Sequence, residues 1–519
     1  MTQSTRETER KYEVPASGDF PSLTGLTGKG QGKAKDKGKG TSLVDAGTHD
    51  LDAVYYDTAD LRLTRTSAIL RRRTGGSDAG WHLKLPLADD TREEIRAPLQ
   101  EEIPDSLSDL ALSRTRGARL EPVVRIRSSR AVRDLVDADG ALLAEVVLDQ
   151  VRADSLRPEG GHASWAELEV ELAADGDTAL LERVDKALGK EGFARSTAPS
   201  KLTRALKETT PDAESAPDDP ADVPSGSAGE QVLAYVSEQA RTIVDLDPAV
   251  RRDLPDSVHR MRVACRRLRS CLRSYRSLLD REVTDPVRAD LKWLGGELGA
   301  ERDQEVLMER LREGMEALPR ELVLGPAAAR LQAWNASRSA EARERSLAAL
   351  SSPRYVALLE ALNRLTTHPP LRPKASRKPA KTLPQAILKE YDRLAGRVER
   401  ARRKPPGAER DAALHEVRKG AKRLRYAGEA AGPALGKPAR RLAKRAKAVQ
   451  KALGDHHDSV VARDSLRRQA VAAHAAGEPG FTWGLLHGQE QATAAERERQ
   501  FPQLWKRASK PRLRKALHS

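Results

Sequence analysis

Aromatic residues make up 3% of this 519-residue chain, and their scarcity argues against a protein that stacks single-stranded bases on its rings. Cysteine is scarcer still. Cys265 and Cys271 are the two present, six residues apart on what reads as one helix, so they face different sides and are not expected to pair. A reducing cytoplasm is the expected location. No apolar run reaches the ~18 residues of a membrane-spanning helix, and the first residues lack the apolar stretch of a signal peptide, so neither is expected. Glycine-rich nucleotide cradles are missing too, with no GxxxxGK[ST] and no strand-linked GxGxxG. Charge of both signs is abundant: 91 Lys+Arg against 76 Asp+Glu leave a net +15. That excess favours an anionic partner, whether nucleic acid, an anionic membrane or a phosphate polymer.

The chain divides by pattern. Residues 1–206 read as mostly β, with alternating runs at Glu7–Val14, Leu51–Asp57, Ala68–Arg73, Trp81–Leu87, Val123–Arg127, Leu142–Val151 and Trp165–Leu172. Turn residues such as Thr74-Gly75-Gly76 separate them, which suggests a barrel or sandwich. Helices are expected over Thr178–Leu188 and after Ser200. Gly28–Gly40 is a Lys/Gly insert that reads either as a solvated loop or as a basic flap. Residues 207–229 are rich in Pro, Ser and acid and read as a linker. Residues 230–515 carry a helical, Ala/Leu/Arg-rich pattern in two halves, 230–365 and 385–515, joined by a basic Pro-rich segment at 366–384.

The halves repeat each other. His259-Arg-Met-Arg262-Val-Ala-Cys-Arg266-Arg267-Leu-Arg269 matches His415-Glu-Val-Arg418-Lys-Gly-Ala-Lys422-Arg423-Leu-Arg425 at an offset of 156, and Leu298-Gly299 matches Leu453-Gly454 at 155. A duplicated helical unit follows.

Chemistry in the β region comes from strand periodicity. Side chains on a strand alternate faces, so Glu7, Glu9 and Lys11 point one way. Glu169 and Glu171 likewise share a face, opposite leucine and valine, and Arg71 shares a face with Arg73. The acidic set is Glu7, Glu9, Asp149, Glu169 and Glu171; the basic set is Lys11, Arg71, Arg73, Lys84, Arg125, Arg127 and Lys201. Either these faces are the wet side of a sheet, or they line one barrel interior. In the second case the carboxylates repel by roughly 4 kcal/mol per pair at about 4 Å and an effective dielectric near 20. A hard cation such as Mg²⁺, which takes a few carboxylates together with phosphate oxygens, removes that cost. Such a site would promote attack on phosphorus by positioning and charge neutralisation.

Residues 1–206 resemble the CYTH superfamily, the triphosphate tunnel metalloenzymes. The resemblance rests on Glu7-x-Glu9-x-Lys11, Tyr55-Tyr56-Asp57-Thr58, Ala68-Ile-Leu-Arg71-x-Arg73, Leu83-Lys84-Leu-Pro86, Leu148-Asp149, Glu167-Leu-Glu169-Val-Glu171-Leu and Ser200-Lys201-x-x-Arg204, in that order. It implies an α+β chain whose first domain is an eight-stranded antiparallel barrel that binds triphosphate with Mg²⁺ or Mn²⁺. It also implies roles. Glu7, Glu9, Asp149, Glu169 and Glu171 would be metal ligands, and Lys11, Arg71, Arg73, Lys84, Arg125, Arg127 and Lys201 phosphate ligands. Glu7, Glu9, Lys11, Lys84 and Asp149 would form the catalytic set.

In the helical halves, His259, Arg262, Arg266 and Arg269 fall at i, i+3, i+7 and i+10, a single stripe down a helix. His415, Arg418, Lys422 and Arg425 repeat it. Seven arginines lie between 260 and 276, and such a face repels itself unless an anion relieves it. A solvated face is the other reading, but it gives no reason for the stripe to recur in register. These residues resemble the CHAD domain, the conserved histidine α-helical domain. That resemblance implies two pseudo-symmetric four-helix units that bind inorganic polyphosphate, with association to polyphosphate granules. His259 and His415 would be ligand contacts or packing caps. Asp455-His-His-Asp458 invites a metal reading, which the first copy, with Glu301-Arg302 at the matching places, does not support.

The leading expectation is metal-dependent hydrolysis of a short linear phosphate chain, inorganic triphosphate above all, with polyphosphate held by the helices. An adenylate cyclase of the tunnel family and a non-catalytic polyphosphate scaffold are the alternatives. Sequence-specific nucleic-acid binding and a membrane span are not expected.

Overall fold

A computed structural model describes residues 3–15, 18–26, 40–174, 176–210 and 223–517. Most of the Gly28–Gly40 insert and most of the 207–229 linker lie outside the described residues. The chain forms two compact units, Met1–Pro217 and Asp218–Ser519.

In the first unit nine strands form one antiparallel sheet: β1 (Gln3–Glu13), β2 (Ser42–Asp57), β3 (Ile69–Thr74), β4 (Gly80–Ala88), β5 (Thr91–Ala97), β6 (Glu121–Val136), β7 (Leu142–Ser155), β8 (His162–Leu172) and β9 (Ala194–Arg195). The order is β5-β4-β3-β2-β6-β7-β8-β1-β9, and β5 also pairs with β1. That extra pairing closes eight strands into a barrel. The sequence patterns located seven of these strands but missed β5 and β9, the first part of β2 and the second half of β6.

Each strand puts one parity inward. On β8 Leu168, Val170 and Leu172 face out and Glu167, Glu169 and Glu171 face in. On β4 Trp81, Leu83 and Leu85 face out and His82 and Lys84 face in. This inverts an ordinary globular layout, with the apolar packing outside the barrel. Helix α2 (Asp105–Thr115) covers Leu70, Trp81 and Ile95 with Leu107 and Leu110. Helix α3 (Ala179–Lys190) covers β1, β7 and β8 with Leu180, Leu181, Val184 and Leu188. Helix α4 (Lys201–Thr209) starts at Ser200, whose hydroxyl accepts from Thr203 N–H at 3.1 Å, and packs Leu202, Ala205 and Leu206 against Tyr55, Ile126, Val151 and Trp165. A short helix α1 (Arg62–Arg65) is held by the buried Asp57 carboxylate, which accepts from Leu63 and Thr64 N–H.

The second unit is all helical: α5 (Ala228–Arg251), α6 (Ser257–Ser274), α7 (Arg281–Glu316), α8 (Ala327–Leu350), α9 (Pro353–Thr367), α10 (Pro379–Arg402), α11 (Ala408–Ala430), α12 (Gly432–Leu435), α13 (Lys437–Ala475), α14 (Phe481–Ala508) and α15 (Pro511–Lys515). Shifted by 155 or 156 residues, α5, α6, α7 and α8 fall on α10, α11, α13 and α14. Neighbour packing repeats as well: α5–α6–α7–α8 in one half and α10–α11–α13–α14 in the other, with α6 against α11 and α7 against α13 between them. Helix α4 runs on to Thr209 and α5 begins at Ala228, so both ends of the expected linker are helical.

Candidate functional site

The barrel encloses a cavity of about 650 Å³ whose wall carries eight cationic and eight anionic side chains. The cations are Lys11, Arg71, Arg73, Lys84, Arg92, Arg96, Arg130 and Lys201; the anions are Glu7, Glu9, Asp78, Glu94, Asp134, Glu145, Glu169 and Glu171. Strand register puts them in ladders. Glu9 opposes Glu171 and Lys11 opposes Glu169 across β1–β8, Glu7 opposes Arg92 across β1–β5, and Lys84 opposes Glu94 across β4–β5.

At one group Lys201 Nζ lies 2.8 Å from Asp149, 2.8 Å from Glu167 and 2.6 Å from Glu169. Arg130 adds bonds to Asp149 and Glu169, and Lys11 contacts Glu169. Burial alone would raise the Asp149 carboxyl, but Lys201 and Arg130 hold it well below its usual range. Burial pulls the Lys11 ammonium down to about 8, against the opposing pull of Glu9.

A second group centres on Glu94. It accepts from His82 Nδ1 at 2.8 Å, contacts Arg96, and lies 3.4 Å from Lys84 and 3.7 Å from Arg71. Lys84 Nζ also reaches Glu7 at 2.5 Å, and Arg92 donates to Glu9 at 2.9 Å. Against the desolvation that would raise it, Glu94 is held far down by His82, Lys84 and Arg71. Burial, together with Arg71 and Arg73, keeps the His82 imidazolium down at about 4, so the ring is neutral at pH 7 and, donating to Glu94, serves as a positioning group.

The third group is Glu171. It forms no ion pair among the described residues. Burial and the nearby Glu7 and Glu9 carboxylates push it up to about 7. Glu7 and Glu9 thus act on a Glu171 that has no counter-charge of its own, and a hard divalent cation would supply one. Asp149, Glu167 and Glu169 have oxygens within 4.8 Å of one another and could also hold a metal, but Lys201 already sits among them. Of Glu7, Glu9 and Glu171, Glu7 is held by Lys84 and Glu9 by Arg92, and Glu171 is the one that forms no ion pair among the described residues.

Of the residues expected from sequence, the barrel brings Glu7, Glu9, Lys11, Arg71, Arg73, Lys84, Glu169, Glu171 and Lys201 to the cavity wall. Asp149 is fully buried behind Lys201 and Arg130. Arg125 and Arg127 are elsewhere. They are exposed on the outer face of β6, where Arg125 forks onto Asp52 and Arg127 pairs with Asp154 at 2.6 Å. Their placement among the tunnel's phosphate ligands is therefore corrected: they have odd parity, and on β6 the inward residues are Arg130, Val132 and Asp134. Sequence reasoning missed Arg130, and also Arg92, Glu94 and Arg96 on β5. Their own alternation, with Ile95 and Ala97 on the other face, was the available signal.

In the helical unit the two stripes approach each other. Lys422 is pulled down to about 7 by burial and then by Arg418, Arg266 and Arg262, so cations from α6 and α11 act on one ammonium. Burial, then Arg302 and Arg266, lowers His259. His415 and His457 lie 4.0 Å apart, ring centre to ring centre, each held down at about 4 by burial and neighbouring cations. Few acids compensate: Arg262 reaches the exposed Asp303 at 3.0 Å and Arg425 reaches Glu429 at 2.6 Å. The buried Nε atoms of Arg262, Arg266 and Arg418 and Nδ1 of His415 have no partner among the described residues. The repeated glycines have a steric reason. A Cβ on Gly299 would meet Arg262 Nη2 at 3.3 Å, and one on Gly454 would meet Arg418 Nε at 3.4 Å. Asp455-His-His-Asp458 forms no converging metal cage: Asp455 pairs with Arg497, His456 with Asp411, and His457 with His415.

The model of the CYTH domain matches residues 5–206, and that of the CHAD domain matches residues 234–467. The chain is a member of the CYTH–CHAD family. Two Mycobacterium tuberculosis proteins, MT2285 (strain CDC 1551 / Oshkosh) and Rv2226 (strain ATCC 25618 / H37Rv), both described as uncharacterized, are 39% identical to it over 513 residues, spanning 95% of this chain and 94% of theirs. PptA from Streptomyces chartreusis is similar over 54% of this chain and 99% of its own, at 23% identity and a TM-score of 0.46. The CHAD domain from the plant Ricinus communis is similar over 59% and 96%, at 26% identity and 0.39. HpAC1 from Hippeastrum, described as having a dominant triphosphatase activity, is similar over 39% and 95%, at 16% identity and 0.25. The CYTH family binds triphosphate substrates and its tunnel enzymes are metal-dependent. Among the described residues no helix of this CYTH–CHAD chain is long and apolar enough to cross a membrane. Cys265 and Cys271 are both free and buried, and burial pushes each thiol up to about 12.

Proposed function

We propose that the CYTH unit hydrolyses a short linear phosphate chain, inorganic triphosphate above all, and that the CHAD unit binds inorganic polyphosphate in the cytoplasm or on polyphosphate granules. The observation that carries the first half is the charge arrangement of the tunnel: a cationic wall for several phosphates beside the acids Glu7, Glu9 and Glu171, of which Glu171 forms no ion pair among the described residues. Mg²⁺ or Mn²⁺ held by Glu7, Glu9 and Glu171, with Glu169 and Asp149 close by, supplies charge neutralisation and Lewis acidity. Lys11, Arg71, Arg73, Lys84 and Lys201 grip the phosphate oxygens, Arg through its rigid fork and Lys as a point charge. Glu94 and His82 hold Arg71 and Lys84 in place for that task. The wall has no aromatic ring but Tyr55 and the His49 imidazole to offer an adenine, which favours a phosphate chain over a nucleotide.

The polyphosphate half rests on the two facing stripes, where Arg262, Arg266, Arg418 and Lys422 raise one another's cost until an anion arrives. The test is phosphate release from tripolyphosphate, ATP and long-chain polyphosphate, each with Mg²⁺, Mn²⁺ or EDTA. Metal-dependent release from tripolyphosphate well above ATP is the expected result. No release from any of them, with polyphosphate still retained, would establish a non-catalytic scaffold instead.

A further inference from the structure

Helix α13 carries cations that the paired stripes do not use. Lys437, Arg440, Arg441, Lys444, Arg445, Lys447 and Lys451 are all exposed, and no acid occurs between Lys437 and Gly454. None of the seven forms an ion pair among the described residues. At 100° per residue they occupy one broad face, while Leu442, Ala446, Val449 and Leu453 fill the opposite, buried one.

The duplication supplies an internal control. At an offset of 155, Lys437, Arg440 and Arg445 fall on Glu282, Asp285 and Asp290 of α7. There the charge is balanced: Asp285 binds Arg281 at 3.1 Å and Arg288 more closely, and Asp290 binds Arg354 at 2.8 Å. The same helix in the same packing role carries charges of both signs in one copy and is uniformly cationic in the other, so the packing does not demand the charge.

The cationic face is also in line with the stripe site. Arg440, Lys444, Lys447 and Lys451 recur at i, i+4, i+7 and i+11, and the stripe continues onto Gly454 and Asp458. Gly454 is where the Arg418 guanidinium lies, and Asp458 acts on Lys422. Arg425 donates to Gln450 at 3.3 Å, so α11 runs alongside α13 with its stripe beside residues 450–458. From Lys451 back to Arg440 the helix extends by about 16 Å, a run of positive charge leading out of the site along its axis.

We infer that the exposed face of α13 is an extension of the polyphosphate site, gripping the part of a long chain that projects beyond the His/Arg stripes and making affinity depend on chain length. This rests on the polyphosphate reading of the stripes. A flexible linear polyanion fits better than a bilayer, because the exposed face carries no large apolar side chain to insert. The face sits on a single helix continuous with a half-buried basic site, as a linear polyanion lying along the helix axis requires.

The full-length protein is titrated, in EDTA to keep the tunnel silent, with long-chain polyphosphate, a short-chain polyphosphate and duplex DNA at several salt concentrations. The wild type is compared with Arg440→Gln/Lys444→Gln/Lys447→Gln, and folding is checked by circular dichroism and melting. The triple variant should lose about tenfold in long-chain affinity, lower the salt slope by about three, and keep its short-chain affinity. A charge-retaining Arg440→Lys/Lys444→Arg/Lys447→Arg variant should behave as wild type. Unchanged long-chain binding, or equal losses for long and short chains, would overturn the extension while leaving the stripe site standing. Failure of the wild type to bind either chain would sink the polyphosphate reading and the extension with it. Duplex DNA bound as tightly as polyphosphate would overturn the choice of ligand.

Discussion

The two charged sites of this chain are built on opposite principles. In the tunnel every cation faces an anion, eight against eight, and most pairs are closed by direct bonds such as Lys84–Glu7 at 2.5 Å. Between the helices cation faces cation, and Lys422 sits at about 7 because burial and Arg418, Arg266 and Arg262 crowd it. A balanced site gains little from an anion alone, since each phosphate must displace a carboxylate from its partner. It gains most from an anion and a cation arriving together, which is what a metal–triphosphate complex is. The unbalanced site needs only the anion. Metal dependence is therefore expected of one unit and not of the other.

The strongest way to break this contrast is Glu9→Gln, or EDTA on the wild type. Either should lower tripolyphosphate turnover by at least about 10²-fold while polyphosphate retention on a filter is unchanged; equal loss of both would mean one shared site. Next comes Arg262→Ala with Arg418→Ala. Removing two charge-assisted donors should cost about 3 kcal/mol of polyphosphate binding, roughly 100-fold by calorimetry, with triphosphate turnover kept within about twofold.

Lys422 gives a sharper, smaller effect. Its folded value of about 7 lies below its ordinary 10.5, so between those values the unfolded chain holds a proton that the free folded protein lacks. Stability of the ligand-free protein should rise with pH across that window. A bound polyanion recharges Lys422, so binding there takes up a proton and affinity should fall as pH climbs through 7, measurable by titration calorimetry in buffers of different ionisation enthalpy. Glu171→Gln should raise the metal-free melting temperature by a few degrees, because it removes a carboxyl pushed up to about 7 by burial and Glu7, and should weaken the stabilisation that Mn²⁺ brings. Smallest of all, Arg125→Ala and Arg127→Ala should leave turnover within about twofold, because their pairs with Asp52 and Asp154 are exposed and worth less than ~1 kcal/mol.

Where the sequence was legible, one physical pattern was strong. Glu7-x-Glu9-x-Lys11 and Glu167-x-Glu169-x-Glu171 alternate cleanly with neighbours of another kind, and the two stripes recur at one offset. Where it was not, the pattern was mixed. Strand β5, Thr91-Arg-Glu-Glu-Ile-Arg-Ala, has charge on both parities and a single large apolar residue, so period-2 alternation barely registers. On β6 periodicity groups Arg125 with Arg127 correctly but does not say which face is inward. Val124 and Ile126 on the other parity, buried in one cluster with Tyr55 and with Leu202 and Leu206 of α4, were the better guide. The alternation on β5 could place Glu94 on a face but not show its importance, which lies in partners on other strands, His82 and Lys84 on β4 and Arg71 on β3, that pairing in the sheet assembles.

That closure has a consequence for how the chain comes into being. β1 is synthesised first, yet its partners are β5, at Thr91–Ala97, and β8, at His162–Leu172. Nascent β1 therefore waits about 80 residues for its first partner and about 150 for its second, and such distant pairings make for slow folding. Throughout that delay it is an orphan strand, the kind of segment that recruits neighbours into aggregates. Its residues Arg6 to Lys11 read Arg-Glu-Thr-Glu-Arg-Lys: Glu7, Glu9 and Lys11, which line the tunnel once the barrel closes, also leave the unpaired strand densely charged, which disfavours edge-to-edge pairing.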